Sequence, residues 1–214
     1  MNLEEYKQKY TNADAPGWLA INEAMEKLYP GQEPKHWASA VPYMVGGEEP
    51  IDGISFYVAE YEGEKYHHFV TYGFSNLYYD EEGVGNEFSK YGFELTFRLK
   101  LFEPDNENPS WVYRMMQNVA KYVFTTGKWF EPFHYIPGHV PIRPDTDIKI
   151  TGIAFLLDPE LGEIDTPHGK VQFLQMFGID EIDVNELKNN QIDAKQVIER
   201  HKDQNPLLIT DLER

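Results

Sequence analysis

The stretch YGFELTFRLK, from Tyr91 to Lys100, is the most regular pattern in the chain. Apolar and polar residues alternate from Phe93 onward, and the apolar positions are Phe93, Leu95, Phe97, Leu99 and Leu101. Side chains on a strand change face at every residue, so the pattern predicts a strand with one buried face and one polar face. The polar face, with Glu94 and Arg98, is therefore the first place to look for function.

Apolar runs and turn residues predict further strands on both sides of this stretch. Residues 54–61 and 66–74 form a hairpin around EGEK, and residues 162–179 form a second hairpin that turns at 166–169. Strands are also expected at 36–45, at 148–157 and in the closing run PLLITDLER. Residues 129–147 contain four prolines and are expected to form no regular element.

Capping residues predict the helices. Asp14 is a candidate N-cap for a helix that ends before Pro30-Gly31, and Ser110 is one for a helix over 111–125 that ends at Gly127. Asp193 and Gln196 are spaced as a capping box, within a region of one or two short helices.

Strands, hairpins and helices are mixed here without a regular βα alternation. This order predicts an α+β fold with a mixed, mostly antiparallel sheet and flanking helices. Residues 1–13 are expected to be a polar, loosely packed N-terminal lead-in, and residues 14–214 a single domain.

Composition narrows the class of protein. The 214 residues are 41% hydrophobic and 14% aromatic, which is enough for a substantial core. There is no cysteine, no apolar run of membrane-spanning length and no signal-peptide pattern, so a cytoplasmic protein is expected.

The net charge of −17 bears on the choice of partner. Such a surface repels phosphate backbones and anionic lipid, so nucleic acid and membranes are excluded as expected partners. It speeds encounter with basic proteins, although acidity can also serve solubility alone.

Histidines and carboxylates give no metal or catalytic motif. His67 and His68 are adjacent on a predicted strand and therefore face opposite ways, and no HExxH motif exists. The acidic clusters at 48–52 and 80–87 do not follow the spacing of a calcium loop. No cofactor or metal is expected. The alternative left open is a hydrolase, or a metal-binding or small-molecule-binding protein, that uses the His134–His139 loop with the acidic loops.

Tyr78 and Tyr79 stand beside Asn76 and Asp80 in an acidic loop. Tyrosine beside charge is typical of protein-contact surfaces, but both rings can equally cover the sheet.

Taken together, an ordered series of blocks resembles the Suppressor of Fused domain family over residues 14–211. These blocks are APGWLAINEAMEKLYPGQEPKHW (15–37), PYMVGGEEPIDGISFY (42–57), YGFSNLYYD (72–80), GFELTFRLK (92–100), NVAKYVF (118–124), TPHGKVQFLQMFGI (166–179) and LLITD (207–211).

The resemblance implies an α+β fold without known catalytic activity. Animal members carry a further C-terminal region and bind a segment of a transcription factor as an added strand, a mode that combines main-chain hydrogen bonds with side-chain selectivity. Acidic residues of two family blocks help to hold that segment. Glu94 keeps the carboxylate of one block, while Asn76 stands where animal members carry Asp.

Short members of the family resemble bacterial immunity proteins of polymorphic toxin systems. The expected function is therefore non-catalytic binding that neutralises a basic toxin, guided by the acidic loops. The expected contact residues are Asp52, Asn76, Tyr78, Asp80, Glu94 and Arg98. Glu94 and Arg98 lie on one strand face, so a private ion pair between them is the alternative.

Overall fold

The structure is a computed structural model that describes residues 1–41, 43, 46–101 and 108–214. Within these residues the helices are α1 (Leu3–Lys9), α2 (Pro16–Leu28), α3 (Ser110–Thr126), α4 (Glu181–Lys188) and α5 (Ala194–Lys202). The strands are β1 (Lys35–Ala38), β2 (Gly53–Tyr61), β3 (Glu64–Tyr72), β4 (Phe88–Lys100), β5 (Tyr135–Ile136), β6 (Ile150–Leu157), β7 (Glu163–Thr166) and β8 (Gly169–Asp180).

The eight described strands form one mixed sheet in the order β1-β2-β3-β4-β8-β6-β5, with β7 paired to the first residues of β8. Every pairing is antiparallel except β4 with β8, which run parallel. The predicted α+β class with a mostly antiparallel sheet is confirmed, and both predicted hairpins form.

Strand β4 lies at the centre of the sheet, and the prediction that one of its faces is exposed is wrong. Glu94, Thr96 and Arg98 are fully buried, as are the apolar residues that alternate with them. The reason is tertiary, because β4 has a strand on each side and helices cover both faces of the sheet.

One face of the sheet packs against α3. Val112, Met116, Ala120 and Val123 of the helix are completely buried against β4 and its neighbours. These residues recur at helical spacing, so they form one apolar stripe. The helix ends at Gly127, which has φ +68 and is the predicted C-cap.

The opposite face carries two separate apolar clusters with a polar band between them. Helix α2 packs on one cluster, and α4 and α5 pack on the other. Strand β8 runs from one cluster to the other, since Phe173 belongs to the α2 cluster and Phe177 to the α4–α5 cluster. Gln175 lies between them on the same strand face and belongs to the polar band.

Two of the predicted helix starts are wrong. Helix α2 begins at Pro16 after Ala15, while Asp14 accepts hydrogen bonds from the main-chain N and Oγ1 of Thr11. Ser110 is the first residue of α3 rather than its cap. The Asp193–Gln196 capping box is confirmed, with both of its hydrogen bonds formed.

The first thirteen residues are not loosely packed as predicted. Asn2 and Glu5 form a capping box at the start of α1, and Tyr6 is completely buried. The polar composition concealed this packing, because a single buried aromatic residue holds the helix in place.

The remaining differences concern sheet edges. Strand β1 is shorter than the predicted 36–45, and positions 42, 44 and 45 of that prediction lie outside the described residues, as do positions 103–107 of the predicted loop. The closing run forms one parallel bridge, from Thr210 to Leu99, instead of a strand. The short strand β5 lies within the proline-rich stretch that was predicted to be irregular.

Among the described helices, none is long and apolar enough to cross a membrane.

Candidate functional site

A cleft of about 320 Å³ opens beside the start of β2 and the end of β3. Four of the six predicted contact residues line it, namely Asp52, Asn76, Tyr78 and Asp80. They come from two loops that the β2–β3 pairing brings together, because Gly53 and Tyr72 are opposite each other in the ladder. Phe124 of α3 and Lys90 of β4 complete the wall.

The loop from Asn76 to Glu87, here called the acidic loop, has a defined shape. The side-chain amide of Asn76 donates to Asp80 Oδ2 at 3.0 Å, and the main-chain N of Glu82 donates to Asp80 Oδ1 at 3.0 Å. The main-chain N of Asn76 donates to Ser89 Oγ at 2.9 Å. Asp80 therefore organises the turn, and Asn76 supports it.

Tyr78 is an exposed aromatic residue of the cleft, with 44% of its surface accessible. Burial and the neighbouring carboxylate of Asp52 raise the pKa of Tyr78 to about 12, so its hydroxyl stays protonated and able to donate. Tyr79, by contrast, packs against Tyr6 with ring centroids 5.0 Å apart. Tyr79 also lines the cleft, although one face of its ring is covered by Tyr6.

Glu94 lies beneath the cleft and does not reach its surface. Its Oε1 accepts from the main-chain N of Gly73 (3.1 Å) and from the N and Oγ of Ser75 (2.9 and 2.6 Å). Its Oε2 accepts from Thr71 Oγ1 at 2.7 Å. Burial raises the pKa of Glu94, and the bonds from Ser75, Thr71 and Gly73 oppose that rise. In this conformation Glu94 fixes the segment that forms the cleft floor, and its role as a direct partner contact stays a prediction.

Arg98 is also fully buried in this conformation, and its partner contact likewise stays a prediction. It donates to both carboxylate oxygens of Asp158, at 2.7 and 3.0 Å, and to Glu160 Oε2 at 2.9 Å. A further bond goes to Gln175 Oε1. Among the described residues, Glu94 and Arg98 therefore have separate partners, and the alternative of an ion pair between them is wrong.

The polar band extends from Arg98 to His68. Tyr29 Oη lies 2.7 Å from His68 Nδ1, and His68 Nε2 lies 3.3 Å from Asp158 Oδ2. Burial lowers the pKa of His68 to about 4, and the charge of Arg98 acts in the same direction. Neutral His68 accepts at Nδ1 from the tyrosine and directs its Nε2–H towards Asp158. The centre of the network, at His68, Arg98 and Asp158, is buried and lies between the two apolar clusters.

Sequence reasoning missed Asp158, Gln175 and Tyr29. Asp158 directly follows the apolar run of β6, a place where an acidic residue is ordinarily taken for a strand end. Its partner Arg98 is 60 positions away, so no local pattern reveals the pair.

Within the described ranges, the histidines do not converge on a metal-sized site. His67 contacts Phe56 and Phe69 on one sheet face, while His68 lies on the other, as alternation requires. His134 pairs loosely with Glu131 at 3.9 Å, and His139 lies 3.2 Å from Lys188 Nζ. In the described part of the chain, no three histidine or carboxylate groups are arranged to hold an ion. Among these residues, the metal-binding form of the alternative at the His134–His139 loop is therefore not assembled.

Comparisons with known proteins agree with this architecture. The family model described as Suppressor of fused protein (SUFU) matches residues 47–214. The human and mouse Suppressor of fused homologs are each 33% identical over 172 residues, which cover 76% of this chain and 35% of the relative. The chain thus spans about a third of the length of the curated relatives it matches.

Solved structures give the same result. A crystal structure described as the Sufu-Fu complex is 28% identical with a TM-score of 0.84, over 94% of this chain and 91% of that chain. Drosophila Suppressor of Fused is 27% identical with a TM-score of 0.83, over 95% of this chain and 51% of its own. A SUFU homolog from Neisseria gonorrhoeae shares the fold, with a TM-score of 0.60 and 13% identity over 92% of this chain and 94% of its own. With its family model, its sequence relatives and its fold in agreement, the chain belongs to the Suppressor of fused family.

Proposed function

We propose that this chain is a non-catalytic protein-binding domain, and that it neutralises a basic protein by occupying part of its surface, as an immunity protein neutralises a toxin. The observation that carries the proposal is the cleft in which Asp52, Asn76, Tyr78 and Asp80 meet. The cleft is open to solvent, and it offers both a carboxylate and an exposed tyrosine.

Charge favours a basic partner. The chain carries a net −17, and the acidic loop adds exposed Glu81, Glu82 and Glu87 beside the cleft. Like charges on one surface steer an oppositely charged protein and raise its association rate. A strongly acidic protein can therefore capture a basic toxin quickly, before the toxin reaches its target.

The chemistry of the cleft fits a lysine or arginine side chain of such a partner. Tyr43 and Tyr78 are each more than 40% exposed, and aromatic faces attract cations. Asp52 stands next to Tyr78 and can accept a charge-assisted hydrogen bond. Lys90 also lines the cleft, but its Nζ is held by the carbonyl of Gly73 at 2.7 Å.

The comparisons support binding in general. One structural relative was crystallised as a Sufu-Fu complex, so a domain with this fold binds another protein there. The identity of that partner does not carry over, because the curated relatives are about three times as long as the region matched here.

Affinity capture with the intact chain, followed by calorimetry on the protein recovered, tests the proposal. The cleft variant combines Asp52→Lys with Tyr78→Ala. The matched control combines Glu60→Lys with Val58→Ala, which makes the same charge change and truncates a side chain of similar exposure (46% against 44%) elsewhere on β2.

Binding by the wild type should weaken as salt rises, and the cleft variant should lose at least tenfold in affinity, about 1.4 kcal/mol. The recovered protein should arrest growth when produced alone and be tolerated when produced with the wild type but not with the cleft variant. Equal binding by the cleft and control variants would place the interface elsewhere. A harmless partner would remove the immunity role while leaving protein binding intact.

A further inference from the structure

The N-terminal helix touches the acidic loop at one buried point, the hydroxyl of Tyr6. This oxygen lies 2.8 Å from His168 Nε2 and accepts from the main-chain N of Asp80 at 3.0 Å. His168 Nδ1 lies 3.1 Å from the carbonyl oxygen of Asn76. Three segments far apart in sequence therefore meet here: α1, the acidic loop and the turn between β7 and β8.

The direction of each hydrogen bond follows from chemistry. The carbonyl of Asn76 can only accept, so Nδ1 of His168 carries a proton and donates to it. In the neutral ring Nε2 is then an acceptor and receives the hydrogen of Tyr6. The tyrosine oxygen in turn receives the Asp80 N–H. Burial lowers the pKa of His168, which favours the neutral ring that this arrangement needs.

Further contacts join the N-terminal residues 6–14 to the acidic loop. Lys7 Nζ pairs with Glu81 Oε2 at 2.5 Å, and the rings of Tyr6 and Tyr79 stack. The main-chain N of Tyr79 donates to the carbonyl of Asp14 at 3.1 Å. The acidic loop is thus held at its main chain, at a ring and at a carboxylate, all by residues 6–14.

Helix α1 has seven residues, too few for an isolated helix to be stable in water. Its order therefore depends on docking. The loop receives contacts from α1 in addition to those from α2, whose Gly17 and Trp18 main-chain N atoms donate to the carbonyl of Leu77 at 3.0 and 3.2 Å. The matched family region begins at residue 47, so α1 lies outside that range while both of its docking partners, the loop and His168, lie inside it.

We propose that α1 is a latch that holds the acidic loop in its binding shape, with Tyr6 and His168 as positioning residues. The effect on binding rests on the proposed function of the cleft, whereas the effect on the loop does not. When the loop is ordered in advance, less binding free energy is lost in ordering it. Only molecules whose loop already has the binding-competent shape capture a partner, so a larger fraction of them raises the apparent affinity. Residues that never touch the partner therefore set its affinity.

Amide hydrogen exchange by NMR on the full chain tests the latch without any partner. Tyr6→Phe removes the hydroxyl and keeps the ring, and Tyr10→Phe on the same segment is the matched control. We expect the Asp80 amide to exchange at least tenfold faster in Tyr6→Phe and at the wild-type rate in Tyr10→Phe. Amides of β4 serve as the reference for global stability.

If Tyr6→Phe also speeds exchange in β4, the test is repeated with Lys7→Ala. This variant removes the exposed Lys7–Glu81 ion pair without opening the core. A smaller acceleration confined to the acidic loop then supports the latch. Unchanged exchange at Asp80 in a folded Tyr6→Phe protein, or in Lys7→Ala where that variant is used, overturns it.

Binding kinetics with the protein captured above test the positioning role. In Tyr6→Phe the association rate should fall about tenfold with an unchanged dissociation rate, whereas loss of a direct contact in Tyr78→Ala should raise the dissociation rate. Faster exchange at Asp80 with wild-type association would overturn the positioning role. Failure of the cleft variant to affect binding, with the latch intact, would instead count against the proposed function.

Discussion

Replacing Asp158 with asparagine should be among the most damaging single-atom changes in this protein. Asp158 is 2% exposed and Arg98 is fully buried. The carboxylate accepts two bonds from the guanidinium, one from Thr96 Oγ1 at 2.8 Å, and main-chain bonds from Glu160 and Leu161 at 3.0 Å. Burial alone raises the pKa of Asp158, but His68 and Arg98 outweigh it and hold that pKa well below its usual range.

The magnitude follows from the uncompensated charge. In Asp158→Asn one carboxylate oxygen becomes an amide that faces donors, and Arg98 stays charged without its counter-ion. Removing one partner of a buried ion pair costs about 3–5 kcal/mol. With a urea dependence of about 3 kcal/mol per M, the unfolding midpoint should fall by about 1 M or more.

Urea unfolding followed by circular dichroism measures this shift. Glu160→Gln is the matched control, because Glu160 also pairs with Arg98 but is 32% exposed, and it should cost less than about 1 kcal/mol. Adding Arg98→Met to Asp158→Asn should recover part of the loss, since it removes the stranded charge. Equal midpoint shifts for Asp158→Asn and Glu160→Gln would refute the reasoning.

Three further predictions concern other buried groups. The folded-state pKa of His68 (about 4) is below its ordinary value, so the unfolded chain takes up the proton first as pH falls. The free energy of unfolding should therefore drop by up to about 3 kcal/mol between about pH 6.5 and 4. Urea titrations at several pH values measure this drop, and the dependence on pH should be shallower in His68→Gln. Glu94→Gln should lower the free energy of unfolding by about 2 kcal/mol, because its amide nitrogen would face the donors that now bind the carboxylate. A lower melting temperature measures this loss. Gly17→Ala should lower the free energy of unfolding, measured in urea, by more than about 2 kcal/mol, because a Cβ there would stand 1.9 Å from the Asn76 carbonyl oxygen. Gly31→Ala is the control: its Cβ would lie in open space at φ +69, and the loss should be only about 1 kcal/mol.

Features set by neighbouring residues were predictable. The alternation from Phe93 onward marked β4, and the Thr166–Gly169 turn marked the β7–β8 hairpin. The capping box at Asp193 and the αL position of Gly127 also followed from residue type and spacing. In each case the deciding interaction spans a few positions.

Features that depend on distant contacts were not predictable. Glu94 resembles a surface residue on an amphipathic strand, yet its donors lie at the end of β3 and just after it, 19 to 23 positions earlier. Tyr6 sits in a polar segment, and its partner His168 is 162 positions away. The same limit applies to the six predicted contact residues: four of them line one cleft because their two loops meet, while Glu94 and Arg98 are buried on β4.

The sequence by itself determined the strand centred on Phe93–Leu99, the α+β class and the family, because periodicity and ordered blocks are properties of the chain alone. Only the tertiary structure decided what the polar face of that strand does. Covered by helices on both sides, Glu94 and Arg98 are satisfied by buried partners, since a charge removed from water must find a counter-charge or donors within the fold. Glu94 and Tyr6 are each bonded to main-chain groups of the segments that line the cleft.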